Sequence, residues 1–171
     1  TLELVQVVEQ AHALGRILEG ATRVIAKRLR VESCSVFLLD EHGDLVRNAA
    51  GGPDPAGQPP DAEVASIAAQ AFAERRAAAA RGETTSLLAS PMLLRDRMVG
   101  ALVLQGPAGR DYSPEIVGTL ATVSAQLVGI VENARIVDAL DRGERPGAQP
   151  APRPFAEELA ASQPERMKNS A

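Results

Sequence analysis

Apolar residues at the start of the chain have the spacing of an amphipathic helix, with Leu4, Val5, Val8 and Ala11 on one face. Gly15 then interrupts the pattern, which predicts a break at that point. A second helix is predicted from residues Ile17, Leu18, Ala21, Val24, Ile25 and Leu29. Lys27 and Arg28 near its end complement the negative end of the helix dipole.

Short apolar runs then replace the helical spacing. Cys34–Leu39 is a nearly continuous run, followed by the polar turn 40–44 and a return strand that starts at Leu45. Two further strands are predicted at Ser86–Leu94 and Met98–Gln105, joined by a charged turn. Because both alternating faces of these strands are apolar, we expect each strand to be covered on both sides.

Two more helices are predicted between and after the strands. Asp61 is positioned to cap a helix that continues to Gly82, and Ser113-Pro114-Glu115 is a typical start for a long final helix. Apolar residues of the final helix step alternately by four and three, as in a coiled-coil seam. The predicted seam consists of Ile116, Leu120, Val123, Leu127, Ile130, Ala134 and Val137.

These elements predict an α+β fold, with an antiparallel sheet, helices packed on one face and a long C-terminal helix. Residues 1–140 are expected to form this domain. Residues 141–171 contain repeated prolines and are expected to be a linker or a mobile tail. The chain begins with Thr1, so we expect it to be part of a larger protein.

Composition and charge exclude several classes of partner. The formal net charge is −4, and only four aromatic residues are present, so neither nucleic acid nor an anionic membrane is expected as a partner. No apolar run is expected to span a bilayer, and no signal peptide is visible. The single cysteine, Cys34, fits a reducing cytoplasm.

The sequence offers few residues for catalysis or for metal binding. Cys34 is interpreted as a buried small hydrophobic residue, with a redox switch as the less favoured alternative. His12 and His42 are the only histidines, and no nucleophile elbow or phosphate-binding loop occurs. No catalytic residue, cofactor or metal site is therefore predicted.

Four segments together resemble a GAF domain. The strand Cys34–Leu38 is similar to the first central strand of that family, and Ser90-Pro91-Met92 with Met98–Leu104 to its paired strands. Asp111-Tyr112-Ser113 resembles the lead into the last helix, and residues 120–134 resemble that helix and its ending. The resemblance covers residues 2–140. Within the family it is strongest to the N-terminal domain of nitrogen-type phosphoenolpyruvate-protein phosphotransferases.

The resemblance implies a regulatory domain that senses a small molecule, with glutamine or 2-oxoglutarate as the implied metabolites, and without catalysis of its own. Residues 50–84, which in this family help to build the pocket, are fewer than usual and rich in alanine. The motif of cyclic-nucleotide-binding members is absent. Strand alternation then suggests the pocket residues Val36, Leu38, Leu87, Ala89, Met92 and Leu102.

Three further functional readings remain open. The seam on the final helix favours a homodimer, formed together with the first helix. A structural dimerisation or docking module without a ligand, or the GAF domain of a sensor kinase, fits the same pattern. A small enzyme such as a methionine-sulfoxide reductase is a more remote alternative, because it needs a nucleophilic thiolate.

Overall fold

The computed structural model describes residues 2–51, 61–141 and 143. By its internal contacts the chain divides into two compact units, residues 1–134 and 135–171. The elements below belong to the first unit, apart from residues 135–141 of the last helix. The predicted linker, 141–171, lies outside the described residues except at positions 141 and 143.

Three helices and five strands make up the described part of the chain. In chain order they are α1 (Leu2–Leu29), β1 (Ser33–Leu39), β2 (Leu45–Gly51), α2 (Ala62–Glu74), β3 (Ala78–Arg81), β4 (Thr85–Leu94), β5 (Arg97–Pro107) and α3 (Pro114–Asp141). The strands form one antiparallel sheet in the order β2-β1-β5-β4-β3. The predicted α+β class with an antiparallel sheet and a long C-terminal helix is confirmed.

Both faces of the sheet are buried, as the apolar runs predicted. In β1, Val36 and Leu38 face one core, and Phe37 between them faces the other. In β5, Leu102 belongs to the first core, whereas Ala101 and Val103 belong to the second. This alternation follows from the period of two along a strand. It produces two separate apolar layers that share one sheet.

The helices are divided between these two faces. α1 and α3 cover the face of Val36, where Leu18, Ile25, Leu120 and Val131 are buried. The prediction that helices pack on one face therefore holds for α1 and α3 but not for α2. α2 lies on the opposite face and buries Val64, Ile67, Ala68 and Ala71 there.

The first helix is continuous, so the predicted break at Gly15 is wrong. A Cβ at Gly15 would meet no atom within 4 Å. The glycine therefore marks neither a turn nor a close contact, and a helix interior tolerates one glycine at a cost of about 1 kcal/mol. Packing of residues such as Leu18 and Ile25 against the sheet offsets that cost.

The alanine-rich segment after α2 is a strand where the sequence predicted more helix. α2 ends at Glu74, and Arg75 takes a left-handed conformation with φ of 57°. Residues Ala78–Arg81 then pair with Ser86–Ala89 of β4. Alanine favours helix in isolation, but pairing with β4 overrides that preference. Asp61 does precede α2, but its side chain makes no capping hydrogen bond, contrary to the prediction.

The start of α3 agrees with the sequence pattern. The backbone N–H of Ile116 donates to Ser113 Oγ at 3.3 Å, which is the hydrogen bond of an N-cap. Between Pro114 and Val137 the helix is long and apolar enough to cross a membrane by length and composition alone, so the expectation that no such segment exists is wrong. Leu120, Leu127 and Val131 of this helix are buried in the core, and core helices pass the same test.

Gly100 is required where β1 and β5 pair, and its replacement tests the packing of the sheet. A Cβ at Gly100 would lie 2.0 Å from the carbonyl oxygen of Phe37. We expect Gly100→Ala to lower the free energy of unfolding by more than about 2 kcal/mol, because backbone must move to admit the methyl group. Urea unfolding followed by circular dichroism measures the change.

The matched control is Gly118→Ala on the exposed side of α3, where an added Cβ meets nothing within 4 Å. This substitution should raise the free energy of unfolding by about 0.5–1 kcal/mol, since alanine favours helix over glycine. Equal effects of the two substitutions would contradict the close approach of β5 to β1.

Candidate functional site

A cleft of about 360 Å³ opens on the α2 face of the sheet, between α2 and the edge strand β3. Its lining residues come from α2, β3, β4 and the turn between these two strands, and they include both charged and small side chains. They are Ala62, Glu63, Ser66, Ile67, Gln70, Ala80, Arg81, Gly82 and Leu87. The cleft is therefore apolar at its floor and polar at its rim.

The helical period explains the polar rim. The apolar positions of α2, such as Val64 and Ile67, point into the core, and the intervening Glu63, Ser66 and Gln70 lie towards the cleft. The small side chains of β3 leave space for the cleft. Ala78 is buried under α2 and Ala80 lines the cleft, so the strand leaves space between itself and the helix.

Opposite charges meet at the cleft. Glu63 lies on the α2 side, and its Oε2 is 3.4 Å from the position that a Cβ would take at Gly82. Arg81 lies on the β3 side and forms an ion pair with Asp111, in the loop that leads into α3. The side chains of Arg81 and Asp111 are 69% and 74% exposed. An exposed pair of this kind is easily exchanged for another partner.

The six predicted pocket residues do not line one surface. Val36, Leu38, Met92 and Leu102 belong to the core under α1 and α3. Leu87 and Ala89 belong to the core under α2, and of the six residues only Leu87 lines the cleft. The six residues thus lie in two different cores, and their contact with a ligand stays a prediction. Ala89 and Met92 are three positions apart, so strand alternation puts them on opposite faces.

The residues at the polar rim were not predicted. Glu63, Ser66 and Gln70 are spaced by three and four, so they share one α2 face, next to the face of Val64 and Ile67. That spacing is visible in the sequence and indicates one helical surface. The pattern does not indicate that β3 lies beside this surface, because the alanines of β3 predict a helix.

A second opening, of about 380 Å³, is a groove between α1 and α3 on the outer side of these helices. Val24 and Arg28 of α1 line it, together with Val123, Gln126 and Ile130 of α3. Val24 is 56% exposed and Ile130 is 37% exposed. The groove is thus an apolar surface open to solvent.

The predicted seam on α3 is divided between the core and the surface. Leu120 and Leu127 are buried against the sheet, and Ile116 and Val123 pack at its border. Ile130 and Val137 are exposed, and Ala134 is half-buried. Core packing thus uses part of the seam, together with Val128 and Val131. The remaining part is the surface on which a partner helix is predicted.

Cys34 is fully buried in β1, as the apolar run predicted. Burial raises the pKa of its thiol above the ordinary value of 9.0, because the thiolate loses its hydration. The thiolate is the reactive form, so Cys34 is not a nucleophile at neutral pH. Among the described residues, no group of three His, Cys, Asp or Glu side chains is placed to hold a metal ion.

A GAF-domain family model matches residues 13–133, which is most of the chain. The chain belongs to the GAF family. No curated protein sequence matches it. Solved structures that share the fold include the GAF domain of a phosphoenolpyruvate-protein phosphotransferase from Acinetobacter, with 22% identity and a TM-score of 0.61, covering 80% of this chain and 97% of that one.

Two other similar structures extend the comparison. The GAF domain of a phosphoenolpyruvate-protein phosphotransferase from Coxiella burnetii has 18% identity and a TM-score of 0.62, covering 80% of this chain and 95% of that one. A free methionine-R-sulfoxide reductase from Thermoplasma acidophilum has 14% identity and a TM-score of 0.56, covering 72% and 96%. At such identities the likeness shows the GAF fold alone. GAF domains are regulatory sensing domains, and this is the class of the chain.

The raised pKa of Cys34 gives this GAF domain a defined pH dependence. A group whose pKa is higher in the folded state stabilises the protein below its unfolded pKa, and this contribution declines as pH rises above that value. Above pH 9 we expect the free energy of unfolding to fall by up to about 1.4 kcal/mol per pH unit through this thiol. Urea unfolding between pH 7 and 10.5 measures the decline.

Cys34→Ala is the control, because other groups also titrate at high pH. Its decline above pH 9 should be shallower than that of the unmodified protein. A native protein whose thiol reacts at once with a disulfide reagent at pH 8 would contradict the burial of Cys34.

Proposed function

We propose that this GAF domain senses a small polar metabolite in the cleft between α2 and β3 and passes the signal to α1 and α3. The single observation that carries the proposal is the cleft itself. It combines an apolar floor with Glu63, Ser66, Gln70 and Arg81 at its rim, on the face opposite the two long helices. Pockets that bind small molecules have this composition.

The metabolites we propose, glutamine and 2-oxoglutarate, follow from the family resemblance. Both carry a carboxylate, and the guanidinium group of Arg81 is a suitable partner for it. Ser66 and Gln70 supply hydrogen-bonding groups on the opposite wall. Of the six residues suggested by strand alternation, Leu87 lines this cleft, and contacts with a ligand by the other five stay predictions.

The parent we propose is a nitrogen-type phosphoenolpyruvate-protein phosphotransferase of a bacterial cytoplasm. The support is the resemblance of Cys34–Val36 and Thr119–Gln126 to that class. In this proposal residues 1–140 are the sensor, residues 141–171 lead to the downstream modules, and catalysis belongs to those modules. Sequence beyond Ala171 tests it, because a kinase or a cyclase there would contradict this parent.

Ligand binding is tested by thermal and urea unfolding with glutamine, 2-oxoglutarate and cyclic nucleotides. A ligand present at a hundred times its Kd should raise the free energy of unfolding by about 2.7 kcal/mol. The cyclic nucleotides are the controls, since their binding motif is absent. No stabilisation by any compound at 10 mM would contradict a sensor for these metabolites and favour the alternative of a dimerisation module without a ligand.

We also propose that α1 and α3 form the contact surface of a homodimer. Among the described residues, the large apolar side chains that are exposed lie almost entirely on these helices: Leu4, Val5, Ile17, Val24, Ile130, Ile136, Val137 and Leu140, with Val46 of β2 as the exception. Each helix has 28 residues, or about 42 Å at 1.5 Å per residue. That length suits the roughly 800 Å² per partner of a stable interface.

The charges on the two helices suggest how the copies meet. α1 carries Arg23, Lys27 and Arg28 in its second half, whereas α3 has no charged residue between Glu115 and Glu132. Two α1 helices packed in parallel would bring these cations together. We favour the arrangement that sets α1 of one copy against the uncharged middle of α3 of the other, because it keeps the cations apart.

Val24→Glu tests this surface. We expect the substitution to shift the protein towards monomer by at least tenfold in the dimer dissociation constant, because it places a charge at the centre of an apolar contact. Sedimentation equilibrium measures the constant. Val46→Glu is the matched control, since Val46 is similarly exposed but lies on β2. A monomeric parent protein at high concentration would rule out the dimer.

A further inference from the structure

The loop between β5 and α3 connects four elements of the fold through the side chains of four successive residues, 110–113. Asp111 pairs with Arg81 at the end of β3. Arg110 donates from Nη2 to the carbonyl oxygen of Leu29 at 2.6 Å and from Nη1 to that of Arg30, at the end of α1. Ser113, at the end of the loop, caps α3.

Tyr112 holds the same loop to β4. Its hydroxyl donates to the carbonyl oxygen of Ser86 at 3.0 Å, and the side-chain hydroxyl of Ser86 donates to the Tyr112 hydroxyl at 3.3 Å. The guanidinium carbon of Arg110 lies 5.6 Å from the centre of the Tyr112 ring, within range of a cation–π contact. Arg110 and Tyr112 thus fix one another, and the loop has one arrangement while these contacts are kept.

Arg81 is the residue that belongs to both the cleft and this network. Arg81 is one of the residues that line the cleft, and its guanidinium is the partner of Asp111. Removal of Asp111 from Arg81 breaks this contact between the loop and β3, and the neighbouring Arg110 is the residue that binds the last carbonyls of α1. A change at the cleft therefore has a short route to the ends of both long helices.

We propose that an anionic group bound in the cleft displaces Asp111 from Arg81, and that this exchange of ion-pair partners loosens the attachment of the β5–α3 loop to α1. The inference rests on the proposed function and names the residues that carry its signal. The exchange costs little, because a guanidinium can form with a ligand carboxylate the same kind of charge-assisted hydrogen bonds that it forms with Asp111. Asp111, at 74% exposure, returns to water without being trapped unpaired.

The size of the effect is bounded by the strength of the pair. An exposed ion pair changes an equilibrium by about fivefold at most, so the loop should be modulated rather than switched fully. By linkage, loss of Asp111 should raise the affinity for an anion at Arg81 by the same factor. The two measurements therefore check one another.

Amide hydrogen exchange tests the connection without any ligand. In Asp111→Asn, residues 27–31 and 107–113 should exchange about two to five times faster than in the unmodified protein. The difference should shrink in 1 M KCl, because salt screens an exposed pair. Arg76→Gln is the matched control, since Arg76 pairs with Glu74 and does not line the cleft. Unchanged exchange in Asp111→Asn would overturn the proposal.

Titration with sodium propionate tests the anion, with propionamide as the uncharged compound of the same size. Propionate should shift the NMR signals of Arg81 and of residues 107–113, with an affinity about two to five times higher in Asp111→Asn and lost in Arg81→Gln. Shifts that persist in Arg81→Gln, or that propionamide reproduces, would overturn the proposed exchange. The absence of shifts even in Asp111→Asn would overturn it as well.

These results separate the inference from the proposed function. Stabilisation by a metabolite together with unchanged exchange in Asp111→Asn would keep the sensor and remove this route for its signal. Faster exchange in Asp111→Asn and exchange of partners with propionate, without stabilisation by any metabolite, would keep the route and remove the proposed metabolites.

Discussion

Burial of both faces of the central strands is the constraint on which the rest of the structure depends. β1 and β5 lie in the middle of the sheet, and their side chains alternate between a core under α1 and α3 and a core under α2. Each backbone is thereby held between two apolar layers, which leaves the strands no freedom to slip by one residue. The long helices and the cleft then lie on opposite sides of a rigid layer, and a connection between them must pass around its edge.

The elements that the sequence predicted well are those with a strong local pattern. Cys34–Leu39 has apolar residues on both faces, which only a covered strand requires, and Ser113-Pro114 marks the start of α3 by its own chemistry. The sequence did not predict β3 because residues 77–80 are all alanine. Alanine has no period to reveal, and only the distant partner β4 turns this segment into a strand.

The candidate site was harder to predict than the fold for a related reason. Assigning a residue to one face requires counting by two from a known register, and the step from Ala89 to Met92 crosses faces. The contact between Arg81 and Asp111 joins the end of β3 to the loop before α3, and these two segments share no sequence pattern. Surface ion pairs arise from the three-dimensional position of strands, so periodicity in the sequence gives no access to them.

The properties of β3 support the proposal that ligand binding at the cleft acts on the β5–α3 loop. β3 has four residues, lies at the edge of the sheet and pairs with β4 alone, and alanine contributes little to strand stability. Beyond this pairing, its attachment depends on contacts under α2 and on the Arg81–Asp111 pair. Elements of low local stability are those that a ligand can rearrange at small cost, because coupling cannot exceed the free energy that separates the two arrangements. An alanine-rich edge strand beside the cleft is therefore consistent with regulation, whereas the central strands, buried on both faces, hold the helices in a fixed frame.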